Sequence, residues 1–256
     1  MKFGDFIKKI FFRQLSVKVS KGHLKGLKLS REGLSADYAQ GNNEWPIQDL
    51  LATILKNGDV FFDIGANIGY FSLLAARLVG NHGEVFSFEP VTSNLKILKQ
   101  NIKLNGFTCI KIIPKALADK RGKATLLLTR HHGGATLSSL GISPPDVSGE
   151  IEVELETIDD LMAEEQLRIP KLIKLDVEGA EMVVLKGMEK TLKEHHPALI
   201  YELDSSELNQ LEVKAEEVQE YLAGFGYQVD MITNYYPDRD WYVRHFIALL
   251  YKKKII

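Results

Sequence analysis

From residue 59 onward, short apolar runs of strand character alternate with stretches of helical periodicity, and this constrains the fold more than any other feature of the chain. Asp59-Val-Phe-Phe-Asp-Ile64, Glu84-Val-Phe-Ser-Phe88, Thr108 to Ile113, Leu172-Ile-Lys-Leu-Asp176 and Ala198-Leu-Ile-Tyr-Glu202 read as strands. Tyr70 to Leu78, Ser93 to Leu104, Ala180 to Leu192 and Ala215 to Leu222 read as helices. Strands that are apolar on both faces are covered on both faces, so the pattern predicts an α/β fold with a mostly parallel sheet between helices. Two last strands, Tyr227 to Ile232 and His245 to Tyr251, have no helix between them and are expected to form an antiparallel hairpin at one edge. Between residues 123 and 156 the alternation breaks. There Lys123 to Thr129 and Glu150 to Leu155 are expected as extra strands flanking a Gly/Ser/His-bearing loop. Thr157-Ile-Asp-Asp160 resembles a capping box, with Asp in place of the usual Glu or Gln.

Upstream, residues 16–34 alternate apolar and polar around Gly22 and Gly26, which predicts a small hairpin, and Pro46 opens a short helix through Leu51 and Leu55. The expected division is an N-terminal elaboration over 1–45 and a main domain over 46–256. With 256 residues, 45% of them hydrophobic, the chain can bury one sizeable core. The formal net charge is −2, so no basic excess points to nucleic acid, and no nucleic-acid partner is expected. A lone cysteine, Cys109, excludes an internal disulfide and a cysteine-based zinc site, and its apolar strand predicts a small buried side chain. No stretch is long and apolar enough to span a bilayer, and the first residues lack the features of a signal peptide, so the cytoplasm is the expected location. Phe3, Phe6, Ile7, Ile10 and Phe11 form an amphipathic stripe with basic residues elsewhere in residues 2–13. Such a stripe suits internal packing, the favoured reading, or peripheral contact with a membrane.

Four segments carry chemistry. Val60-Phe-Phe-Asp-Ile-Gly-Ala-Asn-Ile-Gly-Tyr70 runs from a buried strand through a glycine turn into a helix. Ligands of open α/β sheets sit outside the carboxyl ends of such strands. Asp63, Ile64, Gly65, Ala66, Asn67 and Gly69 are the candidate residues of that turn. The glycines allow close backbone approach, and amides at a helix start can hold a carboxylate. A dinucleotide fingerprint would place a second glycine where Asn67 stands, which argues against NAD. Glu89 and Pro90 end the next strand, where an acidic side chain can accept both hydroxyls of a ribose. Ala116 and Leu117 follow the third strand, at the level where an adenine ring would lie. Asp176, Glu178 and Glu181 crowd the rim after Leu172-Ile-Lys-Leu, and Glu202 ends the neighbouring strand. Clustered carboxylates raise one another's pKa, which suits a general base; they also suit a divalent cation, and no metal ligand is assigned. His131 and His132 lie in the 130–148 loop and are a second candidate source of the base. Asn234-Tyr-Tyr-Pro237 is similar to a motif of enzymes that methylate amino groups of nucleic acids, but it falls between the wrong strands and is set aside.

Taken in order, Asp63-Ile-Gly-Ala-Asn-Ile-Gly69, Phe88-Glu-Pro90, Leu155-Glu-Thr-Ile-Asp-Asp-Leu161 and Lys174-Leu-Asp-Val-Glu-Gly-Ala-Glu181 resemble the FkbM family of methyltransferases over roughly residues 38 to 204. The resemblance implies a class I, Rossmann-like methyltransferase fold. It also implies S-adenosylmethionine (SAM) as methyl donor and O-methylation of a small molecule or sugar. It further implies that Asp63, Gly65, Asn67 and Gly69 hold the methionine end and Glu89 the ribose, with Asp176, Glu178 and Glu181 as the family's acidic motif. Gly41 and Glu44 match a short Gly-x-x-Glu element ahead of the first strand, although Asn43 replaces the usual aromatic residue. The expected activity is thus methyl transfer to a hydroxyl, with one of Asp176, Glu178, Glu202, His131 or His132 as base. The alternatives are a catalytically silent SAM-binding partner protein and an NAD-dependent oxidoreductase.

Overall fold

The computed structural model of the protein describes residues 16–129, 135–138, 147–233 and 242–251. Strands β1 (Ser16–Lys18) and β2 (Lys28–Ser30) pair antiparallel, as the alternation over 16–34 predicts. Helices α1 (Ala36–Gln40) and α2 (Trp45–Ile54) follow. Next come β3 (Val60–Ile64), α3 (Tyr70–Val79), β4 (Glu84–Phe88), α4 (Thr92–Asn105) and β5 (Ile110–Ile113). An inserted group holds β6 (Ala116–Leu117), β7 (Gly122–Thr129), β8 (Ala135–Leu137) and β9 (Val147–Glu156). The rest alternates again through α5 (Ile158–Glu164), β10 (Leu172–Leu175), α6 (Glu181–Lys186), α7 (Glu189–His195), β11 (Ala198–Ser205) and α8 (Leu208–Ala223). Strands β12 (Tyr227–Thr233) and β13 (Tyr242–Leu250) close the described chain.

The main sheet has the order β12-β13-β11-β10-β3-β4-β5. Strands β11, β10, β3, β4 and β5 run parallel, and β13 is antiparallel to both β11 and β12. This is the mostly parallel sheet with a terminal antiparallel hairpin that the sequence predicts. Val60-Phe-Phe-Asp-Ile64 is buried at every position because helices cover both faces. The order in which the parallel strands are added reverses between β3 and β10, with β4 and β5 laid down on one side and β10 and β11 on the other. That switch point opens a crevice outside the carboxyl ends of the two strands.

A second sheet, ordered β6-β9-β7-β8, stands beside the crevice. Along β9, Ile151, Val153 and Leu155 alternate with Glu150, Glu152 and Glu154, so one face is apolar. That face packs with Val91, Ala116, Leu126, Leu137 and Ala180. The expected strands at 123–129 and 150–155 are present, and β6 and β8 extend them into a wall.

Three local expectations are corrected. The single helix expected over 180–192 is two, α6 and α7, broken at Gly187-Met188. A β-carbon on Gly187 would overlap the carbonyl of Ala118, so the backbone passes there only because the residue is glycine. Helix α8 starts at Leu208, well before Ala215. Thr157 caps α5 by accepting from the Asp160 amide at 3.0 Å, but the Asp160 carboxylate lies 3.2 Å from Arg121 Nε instead of closing a capping box.

The described part of the N-terminal elaboration shares the main core. Leu24, Leu27 and Leu29 pack with Ile47, Leu51, Phe61 and Leu73. Ser30 N donates to Asn101 Oδ1 at 2.7 Å, tying β2 to α4. Cys109 is buried, as expected. Among the described residues no helix is long and apolar enough to cross a membrane. The amphipathic stripe of residues 2–13 and the Asn234-Tyr-Tyr-Pro237 segment lie outside the described residues.

Candidate active site

The crevice at the switch point is a cleft enclosing about 690 Å³, counting the part open to solvent. Ile64, Gly65 and Asn67 line it from the β3 turn, and Glu89 and Pro90 from the end of β4. Ala116, Leu117, Leu126, Ala135 and Leu137 form an apolar wall from the second sheet. Asp176 and Glu178 line it from the turn after β10.

The turn residues are ordered by hydrogen bonds among themselves. The amides of Gly65 and Ala66 both donate to Phe88 O at 3.0 Å, and Gly69 N donates to Ala66 O at 2.7 Å. Asn67, held in a left-handed backbone (φ 50°), donates its amide to Glu89 Oε2 at 2.8 Å. These four amides are therefore engaged within the protein. The glycines earn their place by packing. A β-carbon on Gly65 would overlap the Asp176 carbonyl, and one on Gly69 would overlap the Leu98 side chain. Ala66 packs against Leu95 and Leu98.

Glu89 is 4% exposed. Its Oε1 accepts from Val91 N at 2.8 Å, and Asn94 Nδ2 lies at 3.4 Å. Burial pushes its pKa up to about 7, against the pull of the Val91 and Asn67 amides that favour the charged form. A carboxylate fixed by backbone amides at a cleft wall can accept hydroxyl groups without moving.

Asp63 sits at the carboxyl end of β3 but does not line the cleft. It accepts from Ser72 Oγ at 2.5 Å, and Ser72 Oγ is 2.7 Å from Ser87 Oγ. Burial raises its pKa to about 6, partly offset by Lys174. Lys174 is its cross-strand neighbour on β10. The Lys174 ammonium reaches Asp176 Oδ2 at 2.7 Å and lies 4.7 Å from the centre of the Phe71 ring. Although burial alone would lower it, the surrounding carboxylates, Asp176 first, raise the Lys174 pKa.

Glu181 also turns away from the cleft, accepting the Gly179 amide at 3.1 Å and closing its own turn. Burial and then Asp204 push its pKa up to about 8. Glu178 occupies a left-handed backbone (φ 52°), and its carbonyl accepts from Thr136 Oγ1 of β8 at 2.7 Å. Burial, then Asp176, Asp204, Glu202 and Glu181, raise its pKa well above the usual carboxylate range.

Glu44 and Glu202 gather elsewhere, around His245. The β11–β13 register sets Glu202 opposite His245. His245 Nε2 is 2.7 Å from Glu202 Oε2 and 3.3 Å from Glu44 Oε2. Gln48 Nε2 donates to Asn43 O at 2.6 Å and to Gly41 O at 3.1 Å, which fixes the Gly41–Glu44 element. His131 and His132 lie outside the described residues. Sequence reasoning missed Lys174 and His245. Lys174 carried a signal, since a lysine inside Leu172-Ile-Lys-Leu175 interrupts a run buried at every position. His245 gave none, because its partner strand is remote in sequence.

Residues 63–229 match the model of the methyltransferase FkbM domain. The chain is 31% identical over 161 residues to 31-O-demethyl-FK506 methyltransferase FkbM of Streptomyces tacrolimicus, covering 53% of this chain and 61% of that protein. It is 26% identical over 159 residues to hexuronic acid methyltransferase AglP of Haloferax volcanii, covering 57% of this chain and 58% of that protein. The aligned stretches thus span about 60% of these relatives' lengths. A crystal structure of methyltransferase FkbM from Methylobacillus flagellatus superimposes with a TM-score of 0.52 at 16% identity, covering 84% of this chain and 56% of that one, and bears out the class I methyltransferase fold. SAM is the cofactor, and the cleft residues fit an adenosyl group: a fixed carboxylate at Glu89 faces the same space as the apolar wall of Ala116, Leu117, Leu126 and Leu137. The chain belongs to the FkbM family of methyltransferases.

Proposed function

We propose that this protein transfers the methyl group of SAM to a hydroxyl on a small molecule or sugar. Residues 46–256 form the catalytic domain and 1–45 an elaboration on it, acting in the cytoplasm. One observation carries the reading. A single cleft is lined both by residues suited to adenosine, Glu89, Ala116 and Leu117, and by two carboxylates suited to proton removal, Asp176 and Glu178. The small-molecule acceptor is supported by relatives whose names specify a demethyl-FK506 and a hexuronic acid.

SAM supplies a methyl group on a positively charged sulfur. Glu89 would accept the two ribose hydroxyls, and the wall of the second sheet would cover the adenine. Asp63, Gly65, Asn67 and Gly69 would hold the methionine end. Positioning a hydroxyl in line with the methyl can supply several kcal/mol of the barrier. Asp176 or Glu178 takes the hydroxyl proton. Burial and then the neighbouring carboxylates disfavour the charged form of Glu178. Glu202 stands beside His245 instead of lining the cleft, which makes it the weaker candidate. The NAD alternative loses its support with the family match to methyltransferases. A silent SAM-binding protein remains the competing reading, and a screen of acceptor extracts with methyl-labelled SAM separates it from an enzyme by the presence or absence of labelled product.

Two results are expected here. Glu178→Gln should lower kcat by about 100-fold or more with SAM affinity within a few-fold of wild type; an unchanged kcat would remove Glu178 from the mechanism. The second concerns pH. Ribose hydroxyls bind the ionised form of Glu89, whose pKa in the free protein is about 7. Affinity for S-adenosylhomocysteine should therefore fall as pH drops through 7, being about tenfold weaker at pH 6 than at pH 8. Glu89→Gln should flatten the profile, and titration from pH 5.5 to 8 reads it.

A further inference from the structure

We propose that Glu44, Glu202 and His245 form a binding site for a divalent first-row transition-metal ion such as Zn²⁺. The three side chains come from different elements: the residue before α2, strand β11 and strand β13. Each offers one ligand atom, and the three atoms lie within 4.8 Å of one another. His245 is 1% exposed. Its Nε2 and Glu44 Oε2 are both buried, yet neither makes an aligned hydrogen bond. The proximity is close, at 2.7 and 3.3 Å from Nε2 to the two carboxylate oxygens, but the oxygens do not lie along the N–H direction. Atoms that surround a common point behave this way. Ligands about 2.1 Å from a metal stand roughly 3.0–3.4 Å apart; the Glu44 separation of 3.3 Å matches, and the Glu202 separation of 2.7 Å would have to open by a few tenths of an ångström.

The surroundings point the same way. Thr233 Oγ1 is 2.9 Å from His245 Nδ1, so the other ring nitrogen is held by a neighbour and Nε2 faces the carboxylates. Asn43 Nδ2 donates to Glu44 Oε1 at 2.8 Å, which turns Oε2 toward the cluster. Glu44 adopts a left-handed backbone (φ 44°), a conformation that non-glycine residues hold only when the surroundings enforce it. Lys174 Nζ is bonded to Asp176, and Glu44 and Glu202 are the two carboxylates that face His245. A divalent cation bound to neutral imidazole would balance those two carboxylates. An imidazole with two carboxylates suits Zn²⁺ or Mn²⁺ better than Mg²⁺ or Ca²⁺, which prefer oxygen. The site does not rest on the methyltransferase reading.

The test is calorimetric titration of the full chain, dialysed against chelator, with ZnCl₂, and absorption titration with CoCl₂. The expected result is one saturable ion per chain, with visible Co²⁺ bands. Glu202→Gln and His245→Gln should weaken binding by at least tenfold and remove those bands, whereas His23→Gln should not. Thr233→Val, which spares the ligands, should weaken it by about 10-fold or more and serves if His245→Gln does not fold. Absence of saturable binding by the wild-type chain would overturn the proposal, as would binding unchanged in Glu202→Gln and Thr233→Val. S-adenosylhomocysteine titration of the same samples separates the two readings: intact nucleoside binding without metal binding removes the metal site and leaves the methyltransferase standing.

Discussion

Replacing Gly65 by Ala is expected to cost about 3–5 kcal/mol and to lower the melting temperature by roughly 10 °C. Two effects combine. Gly65 holds φ 82°, a left-handed backbone that an L side chain adopts at a cost of about 1–2 kcal/mol. The added β-carbon would also overlap the carbonyl oxygen of Asp176, which is backbone and cannot swing away. The β3 and β10 turns would have to separate. Both turns line the cleft, so affinity for S-adenosylhomocysteine should fall with stability. Gly106→Ala is the control. It has φ 70° but open space around the new β-carbon, so only the backbone penalty applies, about 1 kcal/mol. Thermal melts of the two variants check the difference; equal shifts would mean that the packing of the turns does not matter.

Lys174→Met should destabilise the chain by about 3–5 kcal/mol, because removing one partner of a buried ion pair strands the others. Asp176 loses a 2.7 Å contact, and Asp63 loses the cation that holds its pKa down. The pH dependence gives the signature. Asp63 already has a folded pKa raised to about 6, so its contribution is most favourable when protonated and is lost as pH rises. Without Lys174 that pKa rises further, and the window of loss extends to higher pH. The variant should therefore lie closest to wild type near pH 5 and furthest from it near pH 8, measured by denaturant titration at both pH values. A gap that does not change with pH would show that the lysine acts through packing alone.

Both variants bear on what could be read from residues alone. The main sheet was legible because buried parallel strands advertise themselves as apolar runs, and Val60-Phe-Phe-Asp-Ile64 is buried at every position. The terminal hairpin was legible from a missing helix. The break at Gly187 was not, since its cause is the Ala118 backbone some seventy residues away. Of the candidate site, Glu89, Asn67, Asp176 and Glu178 do share one cleft, whereas Asp63, Gly69 and Glu181 lie outside its lining, Asp63 bonded to Ser72 and Glu181 to the Gly179 amide. The sequence marks where a strand ends but not which way a carboxylate turns, and Glu181 turns toward the Gly179 amide. The second sheet's role as cleft wall was hidden for the same reason. Alternation in β9 shows one apolar face, but not that Leu126 and Leu137 pack with Ala116 into one wall of the cleft.

The most direct test of SAM binding in the β3–β4–β10 cleft is calorimetric titration of the full chain with S-adenosylhomocysteine, beside Glu89→Gln and with NAD as a second ligand. One adenosyl ligand should bind per chain, the variant should bind it about 100-fold more weakly or not at all, and NAD should not compete. No adenosyl binding by the wild-type chain, or equal binding by Glu89→Gln, would contradict the assignment of this cleft as the cofactor site.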